Sequence, residues 1–171
     1  MVSSERPLDI LRGEADVAIR AAEVTEPDLV VRQLVVSGVS LYAAPSYLAR
    51  RGKPASIDDL GGHDVIGYAG DMKHYPGGAW LDAHRGNARV VLSAHSVPAA
   101  HSAAVEGFGI AVLPCKLGAD PRLERITRDV VATRAINLVT HPDLVKIARV
   151  RAVMDFLIAV FARDRAAFAG E

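Results

Sequence analysis

Apolar and polar positions along this chain change over in short blocks, and each block carries its own period. Residues 29–36 and 39–44 are apolar and rich in β-branched side chains, which predicts two strands joined by a turn at Ser37-Gly38. Residues 65–68 and 110–113 are short, wholly apolar runs, the pattern of buried strands, with Pro114 stopping the second. Residues 15–19, 80–81, 89–92, 123–126 and 136–139 complete the strand expectations. Between 69 and 79 a glycine-rich stretch with Pro76 predicts a loop, and 82–87 a polar turn.

Helical signals are fewer but sharper. Val150, Val153, Met154, Leu157, Ile158 and Phe161 recur at spacings of three and four, with Arg149, Arg151, Asp155 and Arg163 off that stripe. This predicts a long amphipathic helix near the C-terminus. Ser96 followed by Pro98 and closed by Gly107 predicts a second helix, capped at both ends. Pro45 to Arg51, ended by Gly52, predicts a third, and Pro7 with Gly13 brackets a short one near the start. A turn is expected at 25–28, where Pro27 bars a helix, and a brief one at 57–60 before Gly61-Gly62. Strands and helices alternate, so the fold class is α/β.

Composition narrows the function. The chain has 171 residues, 50% of them hydrophobic, with 20 basic and 20 acidic side chains, so it can bury a core and has no charge imbalance to keep it unfolded. Zero net charge argues against this chain gripping nucleic acid by itself. One cysteine excludes a disulfide framework and fits a reducing compartment. The first residues hold no apolar signal-peptide core, and no uncharged run is long enough to span a membrane, so the expected location is cytoplasmic.

A search for catalysis finds no constellation, and no enzyme, metal or cofactor is expected. Gly107-Phe108-Gly109 lies after a helix and before a strand, the reverse of a dinucleotide loop, and lacks the third glycine. His95 and His101 are six apart, which does not share a helix face, and the other histidines are scattered. Cys115 has no nucleophile signature around it and reads as a buried structural thiol. Ser102 lacks the Gly-x-Ser-x-Gly elbow, and Asp58-Asp59 sit in a polar turn.

Four blocks nevertheless occur in a recognisable order. They are Gly13-Glu-Ala-Asp-Val-Ala-Ile-Arg20, then Leu41 to Gly52 with Asp59-Leu60 and His63, then Gly107-Phe-Gly-Ile-Ala-Val-Leu-Pro114. The fourth is Val139-Thr-His-Pro-Asp-Leu144 ahead of the C-terminal helix. Together they cover nearly the whole chain, which closely resembles the effector-binding domain of LysR-type transcriptional regulators.

The resemblance implies a type 2 periplasmic-binding-protein-like fold, with two α/β lobes and a small-molecule cleft between them. It places the first lobe at 1–36 and 141–171 and the second at 37–140. It also implies that the first lobe is incomplete, lacking its opening strand and helix, and that the family's winged helix-turn-helix is absent from this sequence. DNA contact in such a regulator falls to that separate module, so a neutral effector domain is what the division of labour predicts. The implied partners are a small-molecule effector and further copies of the chain in a dimer or tetramer, with no membrane.

For the effector site, the resemblance points to Ser3 or Ser4, the loop after Arg20, the loop of Tyr68, Ala69 and Gly70, and the segment around His95-Ser96. The residues agree for the last. Ser93, His95 and Ser96 precede a helix N-terminus, whose N–H groups and dipole favour an anion, so a carboxylate-like ligand is expected. The plainer alternatives are that Ser96 only caps the helix, that His95 faces solvent, and that Arg20 pairs with Asp16 or Glu23. A stand-alone solute-binding or vestigial interaction domain without DNA-binding activity is the competing function.

Overall fold

The computed structural model describes residues 8–57 and 60–171. Ser3, Ser4, the start of the helix expected at Pro7, and Asp58-Asp59 lie outside the described residues. In chain order the elements are β1 (Val17–Arg20), β2 (Val30–Ala43), α1 (Pro45–Arg51), β3 (Asp64–Tyr68), a 3₁₀ turn (Gly70–His74) and α2 (Pro76–His84). There follow β4 (Arg89–Ala94), α3 (Val97–Val105), β5 (Ile110–Pro114), α4 (Cys115–Gly118), β6 (Glu124–Arg125), β7 (Ala132–Thr140), α5 (Ala148–Arg163) and α6 (Arg165–Ala169).

The chain divides into two compact units. One combines the stretch up to Val36 with Arg134–Ala166; the other is Ser37–Thr133 with Ala167–Glu171. The sequence reading sets its lobe boundaries at 36/37 and 140/141. In the structure residues 137–140 of β7 pair with β1, which keeps them in the first unit. The last residues belong to the second unit because Gly170 there meets Cys115 and Arg125.

In the second unit β3 lies between two parallel neighbours. It pairs with β4 from Asp64↔Arg89 to Tyr68↔Ala94 and with β5 at Val65↔Ile110 and Ile66↔Ala111. Helices α2 and α3 pack on β3 and β5 and cover their faces, which is why 65–68 and 110–113 read as unbroken apolar runs; all eight residues are buried. Helix α2 carries the chain from β3 to β4, and α3 carries it back past β3 to β5. The end of β2 pairs antiparallel with β5 and, on Tyr42↔Arg125 and Ala43↔Glu124, with β6.

One polar cluster, buried at Tyr47, His63 and Asp64 and exposed at its arginines, ties the entry side of these strands together. The Tyr47 hydroxyl accepts from the Asp64 backbone N–H at 2.8 Å and lies 3.2 Å from His63 Nδ1. The Asp64 carboxylate accepts from Arg89 Nε at 2.7 Å and Arg51 Nη2 at 3.3 Å, which joins α1, β3 and β4. These arginines hold the Asp64 carboxyl below its ordinary range.

In the first unit β1 runs antiparallel to β7, with Val17↔Thr140 and Arg20↔Asn137 at the ends of the register. Thr140 Oγ1 donates to the Asp16 carbonyl at 2.7 Å, and Asn137 Nδ2 to the Ala22 carbonyl at 3.0 Å. Helix α5 buries Val150 and Met154 against Leu34 and Leu138.

Several expectations need correcting. The two strands at 29–36 and 39–44 are one strand, β2, with no turn at Ser37-Gly38. Gly38 is there because another segment comes close: a Cβ on it would lie 2.6 Å from the Ala169 carbonyl oxygen. The loop expected at 69–79, the strand at 80–81 and the turn from Asp82 are instead the 3₁₀ turn and α2. Gly77 and Gly78 are buried in α2, where a Cβ would strike the Tyr75 ring at 2.5 Å or the Met72 carbonyl oxygen at 2.7 Å. Trp80 and His84, one helical turn apart, stack with ring centroids 4.4 Å apart. Residues 10–13 form a turn, β1 is half-buried with Ile19 46% exposed, and β6 is only two residues long. Val153 lies outside the buried stripe of α5.

Candidate functional site

Ligands of open α/β sheets sit outside the carboxyl ends of the parallel strands. In the second unit those ends are Tyr68 of β3, Ala94 of β4 and Pro114 of β5, and the first two are paired in register. The Ala69 N–H donates to the Ala94 carbonyl at 2.9 Å, so the loops leaving both strands start side by side. Gly70 adopts φ 58°, a left-handed turn that only glycine makes without cost, and a Cβ there would lie 3.5 Å from His95 Nδ1. The structure therefore brings Ala69, Gly70, His95 and Ser96 together, from loops 25 residues apart between Gly70 and His95.

Each side chain has a definable capacity. Ser96 sits extended before α3, and its Oγ accepts from the Ala99 N–H at 3.3 Å, so the residue is the helix cap. Its hydroxyl hydrogen is still available to donate, because capping uses only the oxygen. His95 is exposed. Pro98 in the first turn brings no N–H, and the Ala100 N–H closes the first intrahelical bond to the Ser96 carbonyl. The chemistry on offer is a helix N-terminus, one hydroxyl donor and one imidazole, a set suited to an acceptor-rich group.

Tyr68 stands differently. Its hydroxyl donates to the Val112 carbonyl at 2.8 Å, and its ring meets Tyr75 edge-on at 5.3 Å. Burial pushes its pKa upward, so it remains a neutral donor that supports the wall beneath the strand ends.

Arg20 belongs to the first unit. The pairing expected with Asp16 or Glu23 is replaced by one with Glu26: Nη1 donates to Glu26 Oε1 at 2.7 Å, and Nη2 to the Leu8 carbonyl at 3.1 Å. The bond to Arg20 holds the Glu26 carboxyl below its ordinary range. Both line a cavity of about 280 Å³ with Leu8, Asp9, Leu11 and Leu29, and Arg20 Nε is buried there without a hydrogen-bond partner. Glu26 was missed as a functional partner; the signal was the charge just before Pro27, at the turn that brings the chain back toward β1.

The second unit, by itself, is an α/β unit in which β3 has a parallel strand on either side. More closely, this chain belongs to the LysR substrate binding domain family, whose model matches residues 1–162. The HTH-type transcriptional regulator CrgA of Neisseria meningitidis serogroup C (strain 8013) is 32% identical over 171 residues, covering 92% of this chain and 55% of that protein. The chain thus spans about half the length of the curated relatives it matches. The solved regulatory domain of CrgA superposes with a TM-score of 0.76 at 26% identity, over 92% of this chain and 81% of that one. The regulatory domain of AphB from Vibrio vulnificus shares the fold, with a TM-score of 0.64 at 23% identity, over 89% and 78%. The fold is that of LysR regulatory domains, periplasmic-binding-protein-like of type 2. Among the described residues no helix is long and apolar enough to cross a membrane.

Proposed function

We propose that this chain is the sensing part of a LysR-type transcriptional regulator, that its two compact units are the family's two lobes, and that it binds a small carboxylate-like molecule. The observation that carries the reading is the meeting of Gly70 and His95 beside the Ser96-capped start of α3. A carboxylate at that point accepts from the Ser96 hydroxyl, gains from the helix dipole by about 0.3–1 kcal/mol, and meets no side chain of like charge at positions 93–97. Ala69 and Gly70 allow close approach, since neither has a side chain beyond Cβ. For the first unit, a ligand contact of its own is proposed at Arg20, whose Nε is buried without a hydrogen-bond partner, and Ser3 and Ser4, outside the described residues, belong to the same proposal.

Regulation follows from linkage. An effector changes the geometry of a DNA-bound oligomer only to the extent that it binds one arrangement more tightly than another. DNA contact is made by an N-terminal domain that is not among these residues, which is consistent with the zero net charge of the chain.

The test is thermal denaturation of the 171-residue chain with a panel of small mono- and dicarboxylates. At least one should raise the melting temperature, and His95→Ala, at an exposed position, should weaken that ligand about tenfold, or about 1.4 kcal/mol. A panel that leaves the melting temperature unmoved, or a ligand insensitive to His95→Ala, overturns the reading.

A further inference from the structure

A second cavity, of about 470 Å³, is lined wholly by residues of the second unit and by none of those of the Gly70–His95 region. Its floor follows from the β2–β6 pairing, which sets Tyr42 opposite Arg125. Its walls are Tyr42, Gly118, Pro121 and Leu123, and Gly170 closes one side. Gly118 is required there, because a Cβ would come within 2.4 Å of the Tyr42 ring.

The guanidinium of Arg125 is incompletely used. Nε donates to Ser40 Oγ at 3.1 Å and Nη1 to the Gly170 carbonyl at 2.5 Å, while Nη2 is buried with no hydrogen-bond partner. A buried, unpaired donor on a permanent cation is costly and calls for an acceptor. The carboxylates nearby are engaged elsewhere. Asp120 is held by Arg122 at 2.7 Å and lies 3.1 Å from His101 Nε2, and Glu124 is paired with Lys53. Glu171 is exposed at the rim. Burial, and after it the neighbouring Cys115 thiol, pushes the Tyr42 phenol upward, so it stays protonated.

We infer that this cavity is a second ligand site, for a small organic monoanion whose carboxylate takes the free Nη2 donor of Arg125 and whose apolar body lies against Tyr42, Pro121 and Leu123. Nη2 carries two N–H groups and neither has a partner, which suits a carboxylate, and the apolar walls favour a carbon body over a bare inorganic ion. The site is independent of the effector reading: none of its residues is shared with the Gly70–His95 region.

The experiment is amide chemical-shift mapping of the ¹⁵N-labelled 171-residue chain with phenylacetate, with acetate and neutral 2-phenylethanol as controls. Phenylacetate should move the amides of Tyr42, Gly118, Leu123, Arg125 and Gly170, and each control should bind at least about tenfold more weakly. Arg125→Gln should weaken phenylacetate about tenfold or more. Ala119→Glu places a like charge at an exposed lining position and should also weaken it, so the inference stays testable if the first variant does not fold. Shifts confined to the region of Gly70 and His95, equal binding by wild type and Ala119→Glu, or no shift at millimolar phenylacetate would each overturn the second site. The first of these outcomes leaves the effector reading standing.

Discussion

At Gly38 a single missing side chain carries two different meanings. Local rules read Ser-Gly between apolar runs as a turn, because glycine is the usual residue where the chain must bend. In the fold the chain does not bend there. A Cβ at Gly38 would sit 2.6 Å from the Ala169 carbonyl oxygen and 2.6 Å from Val130 Cγ1, so the residue makes room for a segment 131 positions away. Gly38→Ala should therefore destabilise the chain by about 1–3 kcal/mol, the usual cost of overpacking, as measured by denaturant unfolding. An unchanged midpoint would mean that the Ala169 segment yields without loss. Arg20 makes the same point for charge. Its candidates by proximity in sequence were Asp16 and Glu23, yet it pairs with Glu26, because the turn at Glu26–Leu29 folds back to the end of β1.

Helices show how far a local pattern reaches. The ends of α1 and α3 were legible because caps act within a few residues: Gly52 and Gly107 both adopt φ 75°, and Ser96 accepts from Ala99. Helix α2 was not legible, since Pro76-Gly77-Gly78 is poor helix sequence and only its burial against Tyr75 and Val112 makes the glycines useful. Helix α5 lies between these cases. Its three-four spacing located it, but spacing alone does not say how wide the buried stripe is. Met154 is buried, whereas Val153 is 49% exposed and Phe156 65%. Met154→Ala should cost about 2–5 kcal/mol of stability, while Phe156→Ala should stay within about 0.5 kcal/mol, both measured by thermal or denaturant unfolding. Equal costs would show that the apolar face of α5 is covered more broadly than it is in this structure.

At the scale of the molecule, paired arginines give three of the described carboxylates a share in stability toward acid. Glu26 in the first unit and Asp64 and Asp120 in the second all have carboxyl pKa values below the ordinary range, each chiefly because an arginine side chain donates to it. A folded pKa below the unfolded one means that the unfolded chain binds protons more readily. The stabilisation is complete above the unfolded carboxylate range of about 4 and is lost as pH falls through the lower folded values. Melting temperature should thus be insensitive to these groups at neutral pH and fall in acid, and Asp64→Asn should reduce that acid dependence. A melting temperature that falls instead between neutral pH and about 5 would assign the dependence to other groups. Much of this protein was determined by the sequence alone: the α/β class, the buried runs of β3 and β5, the capped ends of α1 and α3, and the family blocks. Those features depend on neighbours a few residues away or on the burial of a continuous run. Only the tertiary structure decided that β2 is unbroken, that Gly70 meets His95, that Arg20 binds Glu26 and that Arg125 keeps a buried donor unpaired. Each of these depends on which distant residues arrive within a few ångströms, and no local period encodes that distance.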